Sequence, residues 1–170
     1  MDVVVAYYQN WGIGFKGTQP LVIPEDRKHF QELTEGGTVI VGRRTLEDFP
    51  NGKPLKNRKT IVMTHQDIEI EGATVAHSAQ EVMEMVKDQP KVFVIGGASV
   101  YDALLPFCEK VYITKIYARP ECDVFFKNLD ENFEWSFESE SELMTSSTGV
   151  QYRYYVYEKY YINNVIKKIK

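Results

Sequence analysis

Short apolar runs, rich in β-branched and aromatic residues, recur along the chain and predict the strands of a sheet. Seven such runs cover residues 3–8, 38–42, 60–64, 91–97, 110–117, 133–139 and 150–158. Several are apolar at nearly every position, which is typical of strands that are covered on both faces.

Segments with helical spacing separate these runs, at residues 24–34, 43–49, 78–88 and 98–106. Pro24 suits a first helical turn, and Ser78 with Glu81 three residues later predicts a capping box. Strand alternates with helix until about residue 106, and strands then follow one another. The predicted fold is therefore α/β: a single domain with a mixed, mainly parallel central β-sheet, helices on both faces and an antiparallel C-terminal edge hairpin.

Length and composition agree with one globular domain. The chain has 170 residues, of which 44% are hydrophobic and 26% charged, with a formal net charge of −4. This composition is not typical of a disordered chain. The negative net charge argues mildly against a general nucleic-acid binder. The opening "MDVVVAYYQN" lacks the basic start of a signal peptide and is interpreted as a strand.

Two further features bear on location. No apolar run approaches the roughly 18–20 residues that span a bilayer, so no membrane partner is expected. Cys108 and Cys122 are the only cysteines, and we interpret them as free thiols in a reducing compartment, which predicts the cytoplasm. No metal is expected.

Two strand-to-helix corners carry glycine, in "VIVGRRT" and "VFVIGGASVY". Glycine permits a tight turn and close approach of a ligand to the backbone, and a helix N-terminus attracts phosphate. A glycine corner is more often a plain turn, but two in one domain, one followed by Arg43 and Arg44, make a dinucleotide site an equal alternative. The GxGxxG fingerprint is absent, which argues against an ordinary Rossmann site.

One acid, Asp26, falls on the apolar face of the first predicted helix, four residues before Phe30. The first interpretation is an acid of the first helical turn that favours the helix dipole. The second is a carboxylate that binds an amidine-like edge through two hydrogen bonds. Desolvation there would raise its pKa towards a range useful for acid chemistry.

Together these segments resemble the dihydrofolate reductase family, in its bacterial type, over almost all of residues 2–158. The matching segments follow the family's order: "NWGIGFKG" (10–17), "IPEDRKHF" (23–30), "VIVGRRTLEDFP" (39–50), "PLKNRKTIVMT" (54–64), "VIGGASVYDALLP" (94–106), "ITKI" (113–116) and "CDVFF" (122–126). The resemblance implies NADPH-dependent reduction of 7,8-dihydrofolate to 5,6,7,8-tetrahydrofolate. Hydride goes to C6 and a proton to N5, and the product feeds one-carbon metabolism and thymidylate synthesis.

The resemblance also implies residue roles. Asp26 would be the catalytic acid, supported by Thr114, with Leu21 at a position where many members have a Trp that helps to hold a water. The implied substrate contacts are Val4, Val5, Ala6, Asp26, Arg27, Phe30, Phe49, Leu55, Arg58, Ile95, Tyr101 and Thr114. Within this set Phe30 and Phe49 would sandwich the substrate rings, Val4, Val5, Ala6 and Leu55 would fill the wall, and Arg58 would pair with the substrate's α-carboxylate.

The implied cofactor is NADPH. Its contacts would be Ala6, Ile13, Gly14, Gln19, Gly42, Arg43, Arg44, Thr45, Met63, Thr64, His65, Ile95, Gly96, Gly97, Ala98, Ser99, Val100 and Tyr101. Asp123 would steady the mobile loop over the site. The expected ligands are dihydrofolate and antifolate-type molecules, and the protein is expected to be a monomer.

Two rival functions remain open at this stage. A riboflavin-pathway reductase shares the fold and the cofactor, but should lack Asp26, Phe30 and Arg58 together. A nucleotide-binding protein without turnover would bind NADPH and not oxidise it. We predict a reductase domain over residues 1–159. Residues 160–170 are predicted to be a C-terminal extension of unassigned role, with a frayed end favoured over docking to the protein surface or a membrane.

Overall fold

The computed structural model describes residues 1–160; residues 161–170, most of the predicted extension, lie outside them. Its strands are β1 Asp2–Tyr8, β2 Gly12–Gly14, β3 Thr38–Gly42, β4 Lys59–Met63, β5 Thr74–Ala76, β6 Val92–Val94, β7 Lys110–Ile116, β8 Val124–Phe125, β9 Trp135–Glu140, β10 Met144–Thr145 and β11 Gln151–Lys159. Its helices are α1 Pro24–Thr34, α2 Arg43–Glu47, α3 Ala79–Val86 and α4 Ala98–Leu104, and short 3₁₀ turns cover Pro50–Gly52, Leu105–Phe107 and Leu129–Glu131.

The central sheet has the order β10-β11-β7-β1-β6-β3-β4-β5, and β9 also pairs with β11. Its parallel part runs from β5 to β7. Strand β11 is antiparallel to β7, and β9 and β10 pair with β11 in the same sense. Strands β2 and β8 form a separate antiparallel pair. The mixed, mainly parallel sheet with an antiparallel C-terminal edge is thus confirmed.

Helices cover both faces of this sheet. On one face Val82 of α3 and Leu104 of α4 join the largest apolar cluster, together with Val3 and Val5 of β1. On the other face α1 and α2 pack over smaller clusters, and Tyr8 at the end of β1 belongs to the one beneath α1. Because side chains alternate along a strand, Val4 and Ala6 lie on the same face as Tyr8.

Several predicted boundaries were wrong by a few residues. Helix α2 ends at Glu47 rather than residue 49, and α4 ends at Leu104, with Pro106 inside the following 3₁₀ turn. Strand β6 covers Val92–Val94 only, because the chain turns away from the sheet at Gly96. The strands β2, β5, β8 and β10 were not predicted, since two or three residues are too few to show a period.

Two local expectations have more specific outcomes. The Ser78 hydroxyl accepts a hydrogen bond from the Glu81 N–H at 3.1 Å, as a capping box requires. The Glu81 carboxylate, however, accepts from the N–H of His77 rather than from that of Ser78. Within residues 1–160, no helix combines the length and apolarity needed to cross a membrane.

Candidate active site

Asp26, on helix α1, accepts a hydrogen bond from a residue of the central sheet. Helix α1 starts after Ile23, which offers no side-chain cap, and Pro24 occupies its first turn. The Thr114 hydroxyl donates to Asp26 Oδ1 at 2.6 Å. Thr114 is itself only 3% exposed, and it lies on β7 in register with Ala6 of β1. The carboxylate therefore faces the carboxyl-end half of two central strands, where open α/β sheets bind their ligands.

Burial dominates the electrostatics of this carboxylate. Removal from water raises the pKa of Asp26 above its ordinary value, and the Thr114 hydrogen bond and the nearby His29 partly oppose that rise. The shift is the one expected of a desolvated acid without a full counter-charge. Protonation of Asp26 is consequently easier than for a surface aspartate.

Tyr8 holds the backbone of the segment that leads into α1. Its hydroxyl donates to the Leu21 carbonyl oxygen at 2.6 Å and accepts from the Leu21 N–H at 2.9 Å. The backbone of Leu21 is therefore tied to the end of β1, one strand away from Thr114. The Leu21 side chain packs against the cluster that contains Tyr8 and Ile23.

The segment before Leu21 is fixed at its base by Asp123. The Asp123 N–H donates to the Gly14 carbonyl oxygen at 2.9 Å, and its carboxylate accepts from the Lys16 N–H at 3.0 Å. Ile13 and Gly14 are half-buried, whereas Gln19 is exposed. Asp123 thus contacts the loop that was predicted to close over the site.

The residues predicted to form the apolar wall of the substrate site have similar exposure, with the exception of Val5. Val4, Ala6, Phe30, Phe49 and Leu55 are all half-buried. The Val5 side chain, in contrast, is 5% exposed within the core on the opposite face. Strand alternation imposes this placement, so the prediction that the Val5 side chain fills the same wall as its two neighbours was wrong.

Arg58 is oriented by the backbone at the end of α1. Its Nε donates to the Thr34 hydroxyl at 2.8 Å, and its terminal nitrogens donate to the carbonyl oxygens of Lys56 and Gln31 at 2.6 and 2.9 Å. A guanidinium has five N–H donors, so two are left for a ligand. Arg27, the other arginine predicted to contact the substrate, is exposed on α1.

The two glycine corners meet at the carboxyl edge of the sheet. The Gly42 N–H donates to the Gly96 carbonyl oxygen at 2.8 Å, and the Gly96–Gly97 peptide is cis. A Cβ added at Gly97 would lie 3.0 Å from Thr45 Oγ1, and one added at Gly42 would lie 3.2 Å from Val100 Cγ2. A side chain at either position would require its neighbour to move by a few tenths of an ångström, so glycine allows the two corners to pack closely against each other.

The predicted cofactor residues Met63, Thr64 and His65 continue this edge. Met63 is in register with Gly42, and the Thr64 N–H donates to the Ala76 carbonyl oxygen at 3.0 Å. A ring nitrogen of His77 lies 2.9 Å from the Thr64 carbonyl oxygen. Thr64, which follows β4, is thus one strand away from the first glycine corner, and His77, which follows β5, is two strands away.

The remaining predicted cofactor residues differ in exposure. Arg44, His65 and Ser99 are exposed, while Ile95 and Ala98 are half-buried. Arg43 forms an ion pair with Glu47 on its own helix. Tyr101 is only 6% exposed, and its hydroxyl donates to the Val4 carbonyl oxygen at 2.8 Å.

Sequence reasoning missed four residues of this region, namely Tyr8, His29, His77 and Tyr154. The spacing of His29 and Asp26, three residues apart on a helix, was a usable signal. The position of Tyr8, two residues after Ala6 on a strand, was another. Nothing in the sequence indicated Tyr154, whose neighbours come from distant segments.

Comparisons with known proteins agree with this geometry. A family model described as dihydrofolate reductase matches residues 1–159. Dihydrofolate reductase of Bacillus subtilis is 36% identical over 160 residues, covering 94% of each chain, and that of Mycobacterium tuberculosis H37Rv is 35% identical over 157 residues, covering 86% of this chain and 90% of its own. The solved structure of dihydrofolate reductase from Enterococcus faecalis, complexed with NADP(H) and RAB-propyl, superposes with a TM-score of 0.83 at 31% identity, covering 93% of this chain and 95% of that one.

Proposed function

The chain belongs to the dihydrofolate reductase family, and from that premise we propose that Asp26 is the acid of its reaction. The protein is an NADPH-dependent oxidoreductase that converts 7,8-dihydrofolate into 5,6,7,8-tetrahydrofolate. Its ligands are dihydrofolate and antifolate-type molecules. The reaction adds one hydride at C6 and one proton at N5, which together reduce the bond between these two atoms.

The observation that carries the role of Asp26 is its hydrogen bond with Thr114. A single hydroxyl donor, at 2.6 Å from Oδ1, orients the carboxylate and leaves Oδ2 and the second lone pair of Oδ1 for a ligand. A carboxylate can bind two adjacent N–H groups of a heterocycle in parallel, which suits the 2-amino group and N3 of the pterin. Because burial raises the pKa of Asp26, this acid can hold the proton that promotes protonation at N5.

Residues around α1 would orient the substrate. Phe30 and Phe49 would pack on the rings of the substrate, and Val4, Ala6 and Leu55 would complete the wall. Arg58 would bind the α-carboxylate with its two remaining donors, a bidentate geometry that a guanidinium favours. Its hydrogen bonds to the backbone already fix the guanidinium before substrate arrives, which reduces the entropy cost of binding.

The cofactor site fits a dinucleotide phosphate. Glycine at the two corners places no side chain between a ligand and the backbone, and first-turn N–H groups of a helix have no partner within the helix. Arg43, Arg44 and Thr45 add donors at one corner, Ser99 adds one at the other, and Thr64 and His65 suit the 2′-phosphate. When bound there, NADPH supplies the hydride that C6 accepts.

The test is a kinetic comparison of the parent with Asp26→Asn. Oxidation of NADPH by dihydrofolate is followed by absorbance across pH, and NADPH affinity is measured separately by fluorescence. We expect the parent to turn over and Asp26→Asn to lose most activity near neutral pH. The variant should recover part of the rate in acid, where the substrate is more readily protonated.

The other outcomes point to the rival functions. If the parent binds NADPH and leaves dihydrofolate untouched, the reductase assignment fails, and a riboflavin-pathway substrate is tried next. If no substrate of either pathway oxidises NADPH, a binding protein without turnover is indicated. If Asp26→Asn turns over like the parent at every pH, Asp26 is not the acid.

Location and assembly belong to the same proposal. We infer a cytoplasmic location, which the two free cysteines, Cys108 and Cys122, support, because unpaired thiols persist in reducing compartments. The monomeric state is inferred from the family alone.

A further inference from the structure

His29 lies one helical turn after Asp26 and faces the same part of the sheet. Its ring stacks on that of Tyr154, with ring centroids 4.0 Å apart and an interplanar angle of 24°. Tyr154 of β11 is in register with Thr114 of β7, and Thr114 donates to Asp26. Helix α1 therefore presents Asp26 and His29 to two adjacent strands, and each side chain has its own partner there.

The charges around His29 come mainly from its own helix. Burial lowers the pKa of His29, and the carboxylates of Asp26 and Glu32 oppose that change. Glu32 lies close to Lys28 at the surface, whereas Asp26 is half-buried. The titratable groups on β11 are Tyr154, which stacks on His29, and Tyr152, whose ring centroid lies 5.6 Å from that of Tyr154. Of the two acids, Asp26 is thus the one that is partly shielded from solvent together with the imidazole.

We propose that His29 is a positioning residue for the reduction: fixed on Tyr154 and one turn from Asp26, it sets the pH range in which the Asp26 carboxylate is charged. This proposal rests on the role of Asp26 in the proposed function. In acid, the imidazolium favours the carboxylate form of Asp26. As the imidazole loses its proton, Asp26 retains its own more easily. Two groups that interact in this way titrate as a pair.

A titration without substrate tests the coupling directly. The chain has three histidines, so the imidazole signals of the ¹⁵N-labelled full chain are assigned with His65→Gln and His77→Gln. Coupling between two sites is reciprocal. We therefore expect Asp26→Asn to lower the pKa of His29, because the anion that stabilises the imidazolium is gone. The signals of His65 and His77 serve as internal references, and an unmoved His29 titration overturns the proposal.

A kinetic comparison tests the consequence for catalysis. The rate of the hydride step is measured across pH, with NADPH and its deuterated form, for the parent, His29→Gln and His29→Phe. Both variants remove the positive charge, but His29→Phe keeps the ring on Tyr154. Loss of the charge raises the pKa of Asp26, so both profiles should move to higher pH. Both rates should rise about twofold at pH values where the parent's imidazole is charged, as for charge pairs at helical spacing. The profiles should converge with that of the parent on the alkaline side, where the parent's imidazole is neutral.

The pair of variants separates charge from packing. A shift in His29→Gln alone would show that only the ring contact matters, and unchanged profiles in both would show that His29 has no influence; either result overturns the proposal. NADPH affinity, measured by fluorescence, checks that both variants are folded. If the parent fails to reduce dihydrofolate, the proposed function fails, while the titration of His29 still decides the coupling by itself.

Discussion

The hydroxyl of Tyr8 holds Leu21 by both of its main-chain polar groups, donating to the carbonyl oxygen at 2.6 Å and accepting from the N–H at 2.9 Å. Tyr8 ends β1, and Leu21 lies just before α1. The contact connects the strand beside Thr114 to the helix that carries Asp26. It fixes the entry angle of that helix without a conventional side-chain cap.

Removal of this hydroxyl should therefore loosen the site. Tyr8→Phe leaves two half-buried backbone groups of Leu21 without their partner, at a cost of about 1–3 kcal/mol. We expect the free energy of unfolding, measured with urea, to fall by that amount, and turnover to fall with it. Tyr112→Phe removes a hydroxyl from the adjacent strand and should change little. Equal stability of Tyr8→Phe and the parent would contradict the anchoring role.

Asp26 should destabilise the empty protein at neutral pH. Its folded-state pKa is raised, chiefly by burial, so its favourable contribution is complete below the unfolded value and is lost as pH rises through the folded value. Asp26→Asn, which cannot ionise, should gain stability relative to the parent over that window, by at most about 1.4 kcal/mol per pH unit. Urea denaturation between pH 4 and 8 measures the difference. If Asp26→Asn loses stability relative to the parent as pH rises, the argument is refuted.

Glu25, the preceding residue, should show the opposite dependence. It accepts hydrogen bonds from the Ser146 hydroxyl at 2.6 Å and the Ser147 N–H at 2.8 Å, and these lower the pKa of Glu25 to about 2. Its contribution is present above the unfolded pKa and is lost as pH falls towards 2. Glu25→Gln should therefore be less stable than the parent at neutral pH and equal to it in strong acid. Glu32→Gln, exposed on the same helix, is the matched control.

Arg58 should act on substrate affinity more than on the chemical step. Arg58→Lys loses the planar fork and the hydrogen bonds to Thr34 and the backbone. We expect KM for dihydrofolate to rise about tenfold or more, with a much smaller change in kcat, because charge-assisted bonds contribute about 1.5–3 kcal/mol. A dihydropterin substrate without the glutamate should react equally well with both proteins. If the penalty persists with that substrate, Arg58 does not bind the α-carboxylate.

Cofactor preference should depend on Arg44. Arg43 is already paired with Glu47, whereas Arg44 is exposed beside Gly42. Arg44→Met should lower kcat/KM for NADPH about tenfold, through loss of a charge-assisted bond to the 2′-phosphate, and leave NADH, which lacks that phosphate, almost unaffected. Arg119→Met, at an exposed arginine outside the predicted site, is the control for net charge. Equal use of NADPH and NADH by the parent would remove the basis of this prediction.

The sequence by itself determined the features that depend on local periods and on motif order. The bounds of α1 were predicted as observed, because Pro24 and the helical spacing of the following residues are local signals. The parallel sheet with its antiparallel edge followed from the order of strands and helices. The resemblance of consecutive motifs identified the family, since it needs residue types and spacing only.

The tertiary structure alone decided which side chains meet. Asp26 and Thr114 are 88 residues apart, and His29 meets Tyr154 from another distant segment. No local period specifies which strand face a helix will cover. For the same reason the alternation in β1 separates Val4 from Val5, but only the packing of α1 shows which of them borders the site. Contacts between distant segments form only when the whole core is assembled. The burial that raises the pKa of Asp26 therefore also depends on the tertiary structure.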